Sequence, residues 1–169
     1  MDKESYKIKV KELIEKSKEK GLIKTYEEFL ETEQSKEYAL MEEEVEYYIS
    51  NYNKKLKKYK IGDIVFVSKY KYKSGKDREN HSFVIIDGEQ AIDINYFGFL
   101  LSSQTKKVNF SFNELLNKNE FNKLKKDSIA KCDDLITILE EDIKFKIGEV
   151  TQDELERFIN AYEEYLKSK

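Results

Sequence analysis

Residues 61–86 read IGDIVFVSKYKYKSGKDRENHSFVII, and this stretch decides the fold. Gly62-Asp63 is a turn signal, and the β-branched and aromatic run Ile64-Val65-Phe66-Val67 behind it has strand length. A stretch dense in lysine and tyrosine follows, from Lys69 to Arg78. The apolar run Phe83-Val84-Ile85-Ile86 is a second strand. The chain's one histidine, His81, stands in Asn80-His81-Ser82, where the basic loop enters that strand. Imidazole is the side chain that gives and takes a proton near neutral pH, so this position suits work on a phosphodiester. A surface or packing role is the ordinary alternative for a lone histidine.

Upstream of this stretch the pattern is helical. Lys3 to Lys20 carries Tyr6, Val10, Leu13 and Ile14 at helical spacing, and Gly21 suits the position after its end. Thr25 with Glu28 is a capping box for a second helix. A third, from about Lys36 to Lys57, has an apolar stripe from Tyr38 to Tyr52. The lysine run Lys54 to Lys60 marks a boundary, dividing a helical extension (1–58) from a second domain (59–169).

Downstream, the spacing predicts short strands. Asp87-Gly88 reads as a hairpin turn, with strands over Ala91–Asn95, Phe97–Ser102 and Lys107–Phe110. Phe112 to Asn117 reads as a short helix or loop cover, and Ser128–Cys132 and Leu135–Leu139 as two more strands. Thr151 and Glu154 cap a closing helix whose stripe is Leu155, Phe158, Ile159, Tyr162 and Leu166. Short strands with tight turns predict a small barrel or strongly bent sheet, hence an α+β protein.

Composition narrows the function classes. The 169 residues are 39% hydrophobic, enough for a buried core despite 38% charged residues. Cys132 is the sole cysteine and reads as a strand residue, consistent with a reducing compartment. No apolar run approaches the ~20 residues of a membrane span and the N-terminus has no apolar signal region, so a cytoplasmic protein is expected. One histidine and one cysteine are too few for a structural zinc site, and no P-loop, dinucleotide fingerprint or nucleophile elbow is present. Neither metal nor cofactor is expected.

The charge is unevenly placed despite a net −3. Glu27 to Glu46 is acidic, with Lys36 its only basic residue. It could lie over the basic loop and compete with an anionic ligand. Lys69, Lys71, Lys73 and Lys76 alternate with Tyr70 and Tyr72. The lysines can pair with phosphates while the rings stack on bases. The same pattern also suits an edge strand defended by lysine. Arg78 can hold a phosphate through two hydrogen bonds at once. Ser102 and Ser103, at the end of an apolar strand, offer hydroxyls to a phosphate or a ribose, or simply form a turn.

Residues 60 to 165 resemble the PemK/MazF family of toxin endoribonucleases. Three blocks carry the likeness: Gly62-Asp63-Ile64-Val65-Phe66-Val67; Ser74-Gly75 with His81-Ser82-Phe83-Val84-Ile85-Ile86; and Lys126-Asp127-Ser128-Ile129, Ile136 and Lys146-Ile147-Gly148-Glu149-Val150 with the final helix. The resemblance implies a small SH3-like barrel of the MazF/CcdB type with a C-terminal helix. It implies metal-independent cleavage of single-stranded RNA, a homodimer, and an antitoxin that is protein or RNA. The family's catalytic arginine falls on His81, and the chain resembles a branch with a helical extension and histidine there. The catalytic threonine falls on Ser102 or Ser103. On this reading His81 transfers the proton, Arg78 and Lys76 supply positive charge, and Tyr70 and Tyr72 stack on bases. A non-catalytic barrel that binds a protein or nucleic-acid partner, as an adaptor or enzyme poison, is the alternative, because one barrel hosts several functions.

Overall fold

The computed structural model describes residues 3–21, 58–72, 74–90 and 94–169. Helix α1 (Lys3–Glu19) precedes strands β1 (Asp63–Lys71), β2 (Asp77–Gln90) and β3 (Ile94–Ser102). A 3-10 turn (Thr105–Asn109), β4 (Asn113–Leu116) and β5 (Ser128–Leu139) follow. A second short 3-10 turn, β6 (Ile143–Glu149) and helix α2 (Gln152–Lys167) complete the order. The strands form one antiparallel sheet in the order β4-β5-β3-β2-β1-β6. Register shifts in the β1/β6, β2/β3 and β3/β5 ladders bend it. The ladder stays open, with β4 and β6 as its edges. The α+β class and the bent barrel-type sheet are as the sequence predicts.

Burial explains why these strands are so apolar. Ile64, Val84, Ile86, Phe97, Phe99 and Leu101 join one cluster with both helices. Val65, Val67, Tyr70, Phe83, Ile85, Leu100, Ile136 and Ile138 form a second cluster. A sheet buried on both faces has few polar positions to spare, and each fully buried large side chain contributes about 1.5–3 kcal/mol. Helix α2 is stapled at its start by the expected capping box: Glu154 N–H donates to Thr151 Oγ1 (3.2 Å) and Thr151 N–H to Glu154 Oε2 (2.8 Å). Its buried stripe is the predicted one, extended by Tyr165.

The first helix of the extension belongs to the same core. Tyr6, Val10, Leu13 and Ile14 are buried against it, Ser17 hydrogen-bonds the Tyr162 hydroxyl, and Lys9 pairs with Glu163 at 2.7 Å. Gly21 ends the helix at φ 62°, as expected of a residue following a C-cap. The second and third expected helices, and the acidic segment 27–46, lie outside the described residues. No helix among the described residues is long and apolar enough to cross a membrane.

Several local expectations are corrected. Asp87-Gly88 is not a hairpin turn: β2 runs through it to Gln90, with a register shift between Ile85 and Asp87. Glycine is needed there because a Cβ at residue 88 would stand 2.9 Å from the Tyr96 ring and 3.0 Å from the Asn95 carbonyl oxygen. Residues 94–102 are one strand, and residues 128–139 another, where two short ones were expected in each case. Lys107–Phe110 is not a strand but the end of the 3-10 turn Thr105–Asn109 and its C-cap. Residues 113–116 form an edge strand rather than a helix or loop cover, because their backbone pairs with β5.

Candidate functional site

The site forms where β2 begins and β3 ends. Antiparallel pairing sets Ser82 opposite Leu101 in β3, and Ser102 opposite Ile129 in β5. That registration brings three chain segments to one opening. A cleft of about 320 Å³ is lined by Asn80, His81, Ser82, Leu101, Ser102, Ser103, Gln104, Leu124 and Ser128. His81 and both predicted serines therefore share one solvent-open cleft.

His81 is half-buried and held on two sides. Its Nδ1 lies 3.2 Å from the Glu79 carbonyl oxygen. A carbonyl only accepts, so Nδ1 carries the proton, and Nε2 is the basic nitrogen of the neutral ring. The ring stands edge-on to Tyr70, with centroids 5.7 Å apart. Tyr70 packs edge-on against Phe83 (4.9 Å) and Tyr72 (5.5 Å).

This packing follows from a slip in strand alternation. Val67 and Tyr70 are three residues apart yet bury into the same cluster, so side-chain alternation breaks between them. Across the ladder in β2 is Asn80 with φ 58°, a left-handed conformation that asparagine tolerates better than most residues. The break turns Tyr70 inward beneath His81.

Ser102 Oγ accepts from the Gln104 N–H at 3.3 Å, leaving its own O–H able to donate to a guest. Ser128 Oγ donates to the Lys126 carbonyl at 3.2 Å. Ser103 is exposed at the rim. Asn80, Gln104 and Ser128 were not picked out from sequence. The available signal was a run of short amides and hydroxyls beside the two strand ends.

The remaining predicted site residues do not join the cleft. Arg78 lines a separate cavity of about 420 Å³ with Lys69, Lys71, Asp77, Glu79, Glu141 and Asp142. There the cations face carboxylates: Lys69 is registered opposite Glu79, and Lys71 Nζ stands 3.7 Å from Asp77. Tyr70 is only 6% exposed, and burial raises its hydroxyl pKa above the ordinary tyrosine value. Its ring is buried in the second cluster and lies at the wall of the cavity that holds Arg78. Tyr72 is half-exposed, and the Arg78 guanidinium lies over its ring at 5.7 Å. Lys76 is exposed near the tip of the β1–β2 connection, and Lys73 lies outside the described residues. Cys132 is fully buried, and burial pushes its thiol well above the ordinary range, so it is a packing residue as read from sequence.

No protein-family model and no curated protein matches the chain. Among solved structures, the chain is similar to Mycobacterium tuberculosis toxin MazF-mt6, at 14% sequence identity and a TM-score of 0.48, over 62% of this chain and 96% of that one.

Proposed function

We propose that this chain is a toxin-type endoribonuclease that cleaves single-stranded RNA without a metal ion. The observation that carries this reading is the cleft lined jointly by His81, Ser102 and Ser103. In the reaction a ribose 2′-oxygen attacks the adjacent phosphorus and the bond to the 5′-oxygen breaks. The products are a cyclic phosphate and a 5′-hydroxyl. Nε2 of His81 accepts the 2′-hydroxyl proton in the forward step, and the protonated ring can return it to the departing oxygen. The Ser102 and Ser103 hydroxyls donate to the phosphate oxygens as charge develops on them. Tyr70 acts by fixing the imidazole plane from below. Lys76, Arg78 and the exposed face of Tyr72 serve the flanking nucleotides rather than the scissile phosphate. A cognate antitoxin, protein or RNA, and a homodimer belong to this reading through the sequence resemblance.

One observation favours a second reading. Arg78 opens into a different cavity, so no lysine or arginine lines the cleft that holds His81. A non-catalytic barrel that binds a partner through the same cleft would have no need of such a cation.

His81→Ala decides between them. A base or acid of this kind contributes about 10²–10⁴-fold, so cleavage should fall by at least a hundredfold while the circular dichroism stays unchanged. Full cleavage by the folded variant would remove His81 from the mechanism.

A further inference from the structure

The cleft has two basic banks that the Lys69–Arg78 stretch does not include. Lys106 and Lys107 follow Gln104, and Lys123, Lys125 and Lys126 surround Leu124; Gln104 and Leu124 both line the cleft. All five are exposed, and among the described residues none makes an ion pair. The lysines of β1, in contrast, already face Glu79 and Asp77.

Both banks are built rather than loose. Lys107 N–H donates to the Gln104 carbonyl (3.0 Å), and Asn113 Nδ2 donates to the Lys107 carbonyl (2.7 Å). In the second bank Asn122 is fully buried and its amide ties the loop together. Lys123 turns at φ 52°, and Leu124 points into the cleft. Each bank also carries an exposed aromatic ring, Phe110 at 65% and Phe121 at 60%. Neighbouring ammonium groups and open rings together match a chain that alternates phosphates with stackable bases.

We propose that these banks form the track for single-stranded RNA, with the five lysines on its phosphates and Phe110 and Phe121 beneath its bases. The proposal rests on the RNA reading of the cleft but is tested by binding alone. An acidic protein segment would use the lysines and ignore the rings.

The probe is a short fluorescein-labelled oligouridine with every 2′-hydroxyl methylated, so that it binds without being cut. Fluorescence anisotropy against salt concentration reads the contacts. Replacing Lys123, Lys125 and Lys126 with glutamine removes three of them. The slope of log affinity against log salt should then flatten by about 2, and affinity at about 0.1 M salt should fall about a hundredfold. Lys69→Gln with Lys71→Gln should change affinity little, and Phe110→Ala with Phe121→Ala should weaken the oligouridine but not polyglutamate.

Wild-type affinity and slope in the Lys123/Lys125/Lys126 variant, with loss confined to Lys69 and Lys71, would overturn the track while leaving the cleavage reading intact. Equal binding of polyglutamate, untouched by loss of the two rings, would overturn it in favour of an acidic protein segment. Loss of oligouridine binding in the lysine variant of a protein that cuts no RNA would support the track and remove only the cleavage reading.

Discussion

Asn122 should prove to be the residue on which the cleft's outer bank depends. Its side chain is fully buried, and its carboxamide makes three hydrogen bonds to the backbone. Oδ1 accepts from the N–H groups of Asn119 (3.0 Å) and Leu124 (3.1 Å), and Nδ2 donates to the Asn117 carbonyl (2.8 Å). Alanine removes all three at once. At about 1 kcal/mol net for each bond the variant should lose about 3 kcal/mol, a large part of a typical 5–15 kcal/mol stability. For a chain of this size that corresponds to a fall in melting temperature of about 6–12 °C. Urea denaturation followed by circular dichroism measures it. Asn122→Asp keeps an oxygen for the two N–H groups but turns the other toward the Asn117 carbonyl and buries a charge. It should be destabilised at neutral pH and recover as the carboxyl protonates. A loss below about 1 kcal/mol in Asn122→Ala would refute the reasoning, since it would mean that water replaces the amide without cost.

Three further outcomes are expected. Gly148→Ala should destabilise by more than its small volume suggests, because its Cβ would meet the backbone of Asn122 and stand 2.6 Å from the Phe121 carbonyl oxygen; thermal melting within 2 °C of wild type would contradict the packing. Cys132 should resist a thiol reagent at about pH 8 in the folded protein and react fully in denaturant, since burial raises its pKa; rapid labelling of the native state would contradict its burial. Stability should fall at both extremes of pH. Hydrogen bonds from Lys146 and Lys60 hold Glu149 below the ordinary carboxylate range, and Lys9 does the same for Glu163. Their contribution is complete above that range and is lost as pH falls through the lowered values. Lys146 is raised by its bond to buried Asp63, so its contribution is complete below the ordinary lysine value and is lost as pH rises through the raised one. Urea midpoints across pH check both limbs, and Lys146→Met should flatten the alkaline one.

Those parts of the fold that a single local rule governs were readable from sequence. The Thr151–Glu154 capping box, the stripe of α1 and the apolar start of β1 each announce themselves within a few residues. The misread segments depend on partners distant in sequence. Asp87-Gly88 has the composition of a turn, but the Tyr96 ring of β3 is what requires glycine there. Residues 77–82 are polar on both sides and show no alternation, yet they extend β2 because β1 pairs with them. Four residues of β4 are too few to display a period, and β5 alone makes them a strand. The site divides in the same way. His81 and the two serines meet because ladder register aligns β2 with the end of β3. The position of Arg78 was not readable, because the alternation slip opposite Asn80 separates it from a histidine three residues away. Tyr70 looked like a surface ring among lysines until that slip turned it inward.

The central claim is that this cleft cuts RNA by internal attack of the 2′-hydroxyl. The most direct test incubates the wild-type chain with a long single-stranded RNA in EDTA and determines both the sites and the chemistry of the new ends. Discrete cuts leaving 5′-hydroxyl and cyclic phosphate ends, absent with His81→Ala, are the predicted result. Intact RNA, or cuts that vanish in EDTA or leave 5′-phosphates, would contradict the account.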